Sequence, residues 1–175
     1  MPPRNEAQSS TVQTVPAARL REIGLFGGLD EPALESLAET LPSLTLHPGD
    51  VVFREGEQGR ELFVVLEGEM EVQKRSRNGN EVRLALLGPG DWFGEMSVLD
   101  VQPRSASVRA LAPSRLLVFR AQDLDALYRR DLKAYSLVVM NIAREISRRL
   151  RVVDGVLAEV VASVLGGKEG VFRSG

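Results

Sequence analysis

Two residue types that carry much protein chemistry are scarce here: the sequence has no cysteine, and His47 is its single histidine. The lack of cysteine excludes disulfide bonds, thiol nucleophiles and thiolate metal ligands. One histidine leaves too few ligands for most zinc or iron centres. A lone histidine beside the Pro48-Gly49 turn is also more typical of a protein surface than of a catalytic base. The sequence therefore predicts no catalytic residue and no metal site.

Long apolar runs and an excess of one charge are also lacking. No segment approaches the ~20 apolar residues that are needed to span a bilayer, and the first residues lack the apolar core of a signal peptide. The 22 basic and 24 acidic residues give a net charge of -2, so there is no basic footprint typical of nucleic-acid binding. We therefore expect a cytoplasmic protein with no membrane partner, and we do not expect this chain to bind DNA.

The residues that are present predict one domain with an appendage, because 43% of the 175 residues are hydrophobic. Residues 1–16 are rich in Pro, Ser, Thr and Gln and are expected to be a disordered leader. We expect residues 17–130 to form the domain, residues 131–166 a long C-terminal helix and residues 167–175 a tail.

Short helices are expected at the N-terminal end of the domain. An apolar stretch over residues 20–26 ends at Gly27-Gly28, and Asp30 is a typical N-cap for a second helix with Pro32 in its first turn. The apolar residues of that helix have helical spacing and stop near Pro42: Leu34, Leu37, Ala38 and Leu41.

From Ser43 onward the apolar residues change to a strand-like period. Glycine and proline turn signals recur between short segments rich in Val and Leu, and Asn78-Gly79 is typical of a tight hairpin turn. This pattern predicts a mainly β fold, a β-roll or jelly-roll-like barrel, with flanking helices. We expect four glycines to shape its turns without contacting a ligand: Gly49, Gly56, Gly68 and Gly90.

The segment from Trp92 to Ser107, called the cassette below, has the residues of an anion pocket. Gly94 allows close approach of the backbone, and the five residues after it can form a helical turn whose N–H groups face an anion. The guanidinium of Arg104 can bind two oxygens of one phosphate. Ser105 and Ser107 add hydroxyl groups.

Glu95 is the unexpected member of the cassette, because a carboxylate repels a phosphate unless it accepts a hydrogen bond from another group, such as a sugar hydroxyl. A phosphate joined tightly to a ribose meets both demands. Trp92 could stack on a base, but its place before the cassette favours packing in the barrel.

The segments Phe93-Gly94-Glu95-Met96-Ser97 and Pro103-Arg104-Ser105-Ala106-Ser107 together resemble the phosphate-binding cassette of cyclic nucleotide-binding domains. These domains occur in bacterial catabolite activator proteins, kinase regulatory subunits and nucleotide-gated channels. The order of turns resembles the same family, so that the likeness covers about residues 18–154.

The resemblance implies that Glu95 holds the ribose 2′-hydroxyl, that Arg104 holds the cyclic phosphate, and that the backbone at Gly94, Met96 and Ser97 supports both. Cyclic AMP is the expected ligand and cyclic GMP the alternative, with no other cofactor. Three further residues complete the implied ligand site: Phe93, Ser105 and Ala106.

A long helix is predicted from near Asp131 to Gly166, and Gly155 is a candidate site for a kink. Because a long helix rarely exposes an apolar face to water, we expect a homodimer through this helix. Its apolar residues recur every three or four positions, which approaches a heptad repeat: Val139, Ile142, Ile146, Leu150, Val153, Leu157, Val160 and Val164.

Residues 147–155 resemble the activator segment that touches adenine from both subunits, where the family has a Thr-Ser pair. Here the matching positions are Val153 and Asp154, which is a departure. Valine offers the base an apolar contact, whereas the Asp154 carboxylate can accept from the adenine amino group.

Arginines on the same helix are interpreted as a solvated face, with Glu145 and Arg149 as an i,i+4 pair, rather than as a nucleic-acid contact. Fewer than a dozen residues follow Leu165, which leaves no room for the helix-turn-helix domain of the activators.

The favoured function is a non-enzymatic regulatory protein in which cyclic nucleotide binding repositions the C-terminal helix and so changes a dimer or a protein effector interface. A scaffold with an empty or differently liganded cassette is one alternative, and a truncated transcription regulator is another. An enzyme of the cupin or phosphodiesterase type would lack metal ligands and a base near a nucleophile.

Overall fold

The computed structural model describes residues 15–169, with side chains described as far as residue 165. Residues 1–14 and 170–175, which make up most of the predicted leader and tail, lie outside the described residues. The strands are β1 Ser43–Leu46, β2 Val51–Phe53, β3 Glu61–Glu67, β4 Met70–Arg75, β5 Glu81–Leu87, β6 Trp92–Phe93, β7 Ser107–Ala110 and β8 Ser114–Arg120. The α-helices are α1 Ala17–Arg21, α2 Glu31–Thr40, α3 Glu95–Leu99, α4 Ala121–Arg130 and α5 Leu132–Glu169, and a 3₁₀ turn covers Gly24–Phe26.

The predicted start of α2 is confirmed. The Asp30 carboxylate accepts a hydrogen bond from the backbone N–H of Ala33 at 3.2 Å, and Pro32 lies in the first turn. The apolar face of the helix is buried, including Leu34 and Leu37. The expected stretch before it divides into α1 and the 3₁₀ turn, both of which bury leucines.

The strands form two four-stranded antiparallel sheets, with the orders β1-β8-β3-β6 and β2-β7-β4-β5. This architecture confirms the prediction of a mainly β fold with flanking helices. The turn at Asn78-Gly79 joins β4 to β5, and Gly79 has a φ of 83°, which favours glycine. A core cluster draws on both sheets: Leu44, Leu46, Phe53, Phe63, Val65, Met70, Phe93, Val108, Ala110, Leu116 and Val118.

Two residues outside this cluster behave as the sequence predicts. Trp92 is 6% exposed and lies in β6, so it packs in the barrel. The His47 side chain is 87% exposed, as expected for a surface residue.

The chain divides into two compact units, residues 1–138 and residues 139–175. Helix α5 begins at Leu132, next to the predicted start near Asp131, and it is described as far as Glu169, so it includes the predicted end at Gly166. In the second unit the predicted pair of Glu145 with Arg149 is present at 3.0 Å, and Arg148 also contacts Glu145. Among the described helices there is none whose length and hydropathy suit a membrane span.

Candidate functional site

Arg104 is a buried cation, 4% exposed, at the centre of the cassette. Its Nη1 donates to the backbone oxygens of Glu61 at 2.6 Å and Gly94 at 3.2 Å, and to the Ser97 hydroxyl at 2.7 Å. Its Nη2 donates to the Glu61 carboxylate at 3.0 Å. These contacts hold the guanidinium in one position before any ligand arrives.

Two aromatic rings of the core support the same guanidinium. The Arg104 Cζ lies 4.1 Å from the centroid of the Phe53 ring and 5.8 Å from that of Phe63. The negative face of an aromatic ring attracts a cation, and this attraction is stronger away from water. The rings of Phe63 and Phe93 stack at 5.4 Å, so the support is continuous with the core.

The electrostatics of this arrangement favour an anion. Burial lowers the pKa of Arg104, and the carboxylates of Glu61, Glu57 and Glu95 oppose that shift. The guanidinium stays charged, because an arginine does not lose its proton in proteins. Its Nε is buried and has no hydrogen-bond partner among the described residues. A buried unsatisfied donor costs about 1–3 kcal/mol, so an added acceptor at this group is favourable.

Two glycines make room for the arginine. Gly94 has a φ of 83°, and a Cβ there would lie 2.7 Å from Arg104 Nη1. A Cβ on Gly59 would lie 2.6 Å from Nη2 and 2.7 Å from Nε. The backbone of Arg104 also exchanges hydrogen bonds with the same loop, at Gly56 (2.8 Å) and Glu57 (2.9 Å). The loop from residue 54 to residue 60 is therefore part of the site.

Helix α3 is the short helical turn that the sequence predicts after Gly94. Glu95 is 5% exposed and Ser97 is 3% exposed, whereas Met96 is 55% exposed. The Ser97 hydroxyl donates to the carbonyl of Gly94 at 3.0 Å and accepts from Arg104. Ser97 thus contributes its side chain, where the family resemblance implied a role for its backbone.

The remaining cassette residues differ in position. Ser105 is exposed, with its Oγ 3.7 Å from the sulfur of Met96, and Ala106 is buried. Phe93 lies in the core, and its contact with a ligand stays a prediction. Ser107 was expected to add a hydroxyl group to the anion pocket. In the structure this hydroxyl accepts a hydrogen bond from the backbone N–H of Glu55 at 2.9 Å. Val108 faces the core, so alternation along β7 turns Ser107 to the other face.

Val153 and Asp154 lie on α5 in the second unit. Both are exposed, Val153 at 59%. Their roles toward the base remain predictions.

Four contacts of the site were not predicted from the sequence. Glu61, Phe53 and Gly59 all touch Arg104, and Lys74 Nζ donates to the Ser105 carbonyl at 2.8 Å. Glu61 is the first residue of β3 and Phe53 is the last residue of β2. The sequence therefore gives no reason to distinguish them from other strand residues of the β-roll. Gly59 was the available signal that this loop approaches another segment closely, because a Cβ at Gly56 would meet no atom within 4 Å.

The described residues contain no group of His, Asp or Glu side chains placed to hold a metal ion. The site is therefore built from one buried cation, one buried carboxylate and the polar atoms that position them.

Comparison with known proteins assigns this arrangement to a family. A family model for the cyclic nucleotide-binding domain matches residues 43–131. The chain is 30% identical over 149 residues to the CRP-like cAMP-activated global transcriptional regulator of Mycobacterium tuberculosis, covering 85% of this chain and 65% of that protein. It is 40% identical over 131 residues to the cyclic AMP receptor protein of Thermus thermophilus, covering 74% of this chain and 58% of the relative.

A solved structure supports the same assignment. The cyclic nucleotide-binding domain from Methylobacillus flagellatus is 27% identical, with a TM-score of 0.73, and the match covers 82% of this chain and 81% of that one. The chain spans less than two thirds of the length of the two curated relatives. It belongs to the family of proteins that contain a cyclic nucleotide-binding domain.

Proposed function

We propose that this chain is a regulatory protein, without enzymatic activity, that binds cyclic AMP in its cassette. In this proposal Arg104 binds the cyclic phosphate and Glu95 accepts a hydrogen bond from the ribose 2′-hydroxyl. The observation that carries it is the state of Arg104: a fully buried guanidinium, fixed by three residues, whose Nε still has no acceptor among the described residues.

A phosphate suits this arginine better than a neutral ligand does. The charge of Arg104 is balanced at hydrogen-bond distance by Glu61, whose side chain is 38% exposed and therefore partly screened by water. Charge-assisted hydrogen bonds to an anion are about twice as strong as neutral ones. Burial strengthens them further, because the local dielectric is low.

The buried Glu95 supports a ribose next to that phosphate. Glu95 is 5% exposed and, when ionised, only accepts hydrogen bonds, and its two carboxylate oxygens can accept from a ligand as well as from protein neighbours. A sugar hydroxyl is a donor of the right kind. The pairing of a buried arginine with a buried glutamate on one short segment thus favours a ribose phosphate over inorganic phosphate.

Cyclic AMP is proposed over cyclic GMP because the two curated relatives described above are named for cyclic AMP. Ser105 does not decide between the two bases, since a hydroxyl both donates and accepts. We expect the preference for cyclic AMP to be modest.

The dimer is proposed on the surface of α5. Apolar side chains from residue 150 to residue 165 are between 45% and 68% exposed, although such residues are usually buried when they recur at helical spacing. In the proposal a second copy of the chain covers the heptad positions, and ligand binding repositions this helix. Val153 and Asp154 lie within that stretch and would contact the base.

Calorimetry on nucleotide-free protein tests the ligand. Titrations with cyclic AMP, cyclic GMP and cyclic di-GMP should give the tightest binding for cyclic AMP. A protein that binds none of the three would instead be the scaffold with an empty cassette.

A further inference from the structure

A cavity lies beside β2, β4 and β7, and Ser107, the last residue of the cassette, is among its lining residues. It has a volume of about 790 Å³ and is lined by parts of β2, β4 and β7 and by the turn between β4 and β5. Neither Gly94, Glu95 nor Arg104 lines it. We call this cavity the outer groove. Its charged lining residues are Arg54, Glu55, Lys74, Arg75, Arg77, Glu81 and Arg109, and Gln73 also lines it.

The outer groove lies on the opposite face of its sheet from the core. Val72 and Val108 are paired across β4 and β7, and both contact the core cluster. Because side chains alternate along a strand, the next pair, Gln73 and Ser107, points to the other face. Arg104 is on the core side, where its guanidinium lies over the ring of Phe53.

Two acidic residues near the outer groove, Glu71 and Glu55, are already balanced by cations. Glu71, 1% exposed, contacts both Arg83 and Arg109, and hydrogen bonds from Arg83 and then Arg109 lower its pKa. Glu55 pairs with Lys74 at 3.3 Å. Its pKa is lowered too, first by the backbone N–H of Arg75. Each carboxylate is therefore ionised and neutralised by neighbouring cations.

Two arginines of the outer groove, Arg54 and Arg77, remain without such partners among the described residues, whereas the charge of Arg75 helps to lower the pKa of Glu55. All three side chains are exposed, and those of Arg54 and Arg77 make no hydrogen bond or ion pair within residues 15–165. Glu81 is the one acidic lining residue besides Glu55. The outer groove thus has a local excess of positive charge on a chain whose net charge is -2.

The lining favours a peptide over a nucleotide. A volume of about 790 Å³ suits a ligand larger than a single phosphate. No aromatic side chain lines the groove, so a base would have no ring to stack on. Guanidinium forks match carboxylates, whereas Glu55, Glu81 and Gln73 can accept from the backbone N–H groups of a peptide.

We propose that the outer groove binds an acidic peptide segment of a partner protein, through Arg54, Arg75 and Arg77. This groove adjoins the cassette through Ser107 and through Arg54 in the loop of residues 54–60, but Arg104 does not line it, and the proposal does not depend on cyclic AMP binding.

Fluorescence anisotropy with a labelled poly-glutamate peptide tests the proposal on the full chain. The double variant Arg54→Ala/Arg77→Ala should bind the peptide about fivefold more weakly, because each of the two exposed charge pairs contributes about 0.5 kcal/mol. The matched control is Arg129→Ala/Arg130→Ala, which removes the same charge from exposed positions on α4. The control should bind like the wild type.

Three results would overturn the proposal: no binding of the peptide, equal weakening by both double variants, or tighter binding of single-stranded DNA that the first double variant abolishes.

Discussion

Arg104 and Glu61 are joined through both the main chain and the side chain of Glu61. The guanidinium donates to the Glu61 backbone oxygen at 2.6 Å and to its carboxylate at 3.0 Å. The first contact fixes the position of the arginine, and the second supplies a negative charge beside it. An incoming phosphate would keep the first contact and compete with the second.

Glu61→Gln should therefore tighten cyclic AMP binding by about fivefold. Glutamine keeps an oxygen that accepts from Arg104, while the change removes a repulsion that is about 1 kcal/mol at ~4 Å in water. Calorimetry at low and high salt measures the effect, which should shrink with salt. Glu39→Gln is the control, because Glu39 is exposed on α2 and is not among the carboxylates that act on Arg104. Weaker binding by Glu61→Gln would mean that its carboxylate serves to position the arginine.

The role of Glu95 can be measured with an altered ligand. Wild-type protein should bind 2′-deoxy cyclic AMP about 0.5–1.5 kcal/mol more weakly than cyclic AMP, because one hydrogen bond is lost. Glu95→Gln should bind the two ligands about equally. If the wild type binds cyclic AMP and 2′-deoxy cyclic AMP with equal affinity, Glu95 does not accept a hydrogen bond from the 2′-hydroxyl.

Gly59→Ala should weaken cyclic AMP binding, because the new methyl group would occupy space that Arg104 fills. Adding a methyl group to a packed site costs about 1–3 kcal/mol, and we expect that cost to appear in ligand affinity as the guanidinium shifts. Gly88→Ala is the matched control, since no atom lies within 4 Å of a Cβ there. Calorimetry and thermal unfolding of both variants separate affinity from stability. Equal affinities for the two variants would contradict the account.

These predictions depend on contacts within one short segment and on contacts between segments that are distant in the sequence. The sequence revealed mainly the first kind. Gly94, Glu95 and Arg104 lie on one short segment, so their spacing alone indicated a site. The contact of Glu61 with Arg104 joins residues 43 positions apart, and it depends on how β3 lies against the cassette. No local pattern reports such a pairing.

The fold was easier to predict from the sequence than the site, because turn signals and hydrophobic periodicity are local features of the sequence. Asp30 and Gly79 show their expected capping and turn roles. Ser107 was assigned to the anion pocket, although the alternation of Ser107, Val108 and Arg109 along β7 could have placed its hydroxyl on the outer face. The buried Glu71 was missed because its partners Arg83 and Arg109 lie on two other strands.

The proposed dimer is tested by changing α5 alone. Truncation after Arg149 should give a monomer by light scattering and weaken cyclic AMP binding. Leu157→Asp/Val160→Asp should do the same, because it places charges on the heptad seam. Ala162 lies on the face of the helix opposite the heptad seam, so Ala162→Asp is the control and should remain dimeric. A monomeric wild type, or a truncated protein with unaltered affinity for cyclic AMP, would refute the coupling between dimer formation and ligand binding.

The central claim is that cyclic AMP binds through Arg104, and a calorimetric titration of nucleotide-free wild type, Arg104→Ala and Arg129→Ala tests it most directly. The wild type and Arg129→Ala should bind cyclic AMP alike. Arg104→Ala should lose about 2–5 kcal/mol of binding free energy, because it removes the buried partner of the phosphate. Unchanged affinity in Arg104→Ala would contradict the assignment of the site.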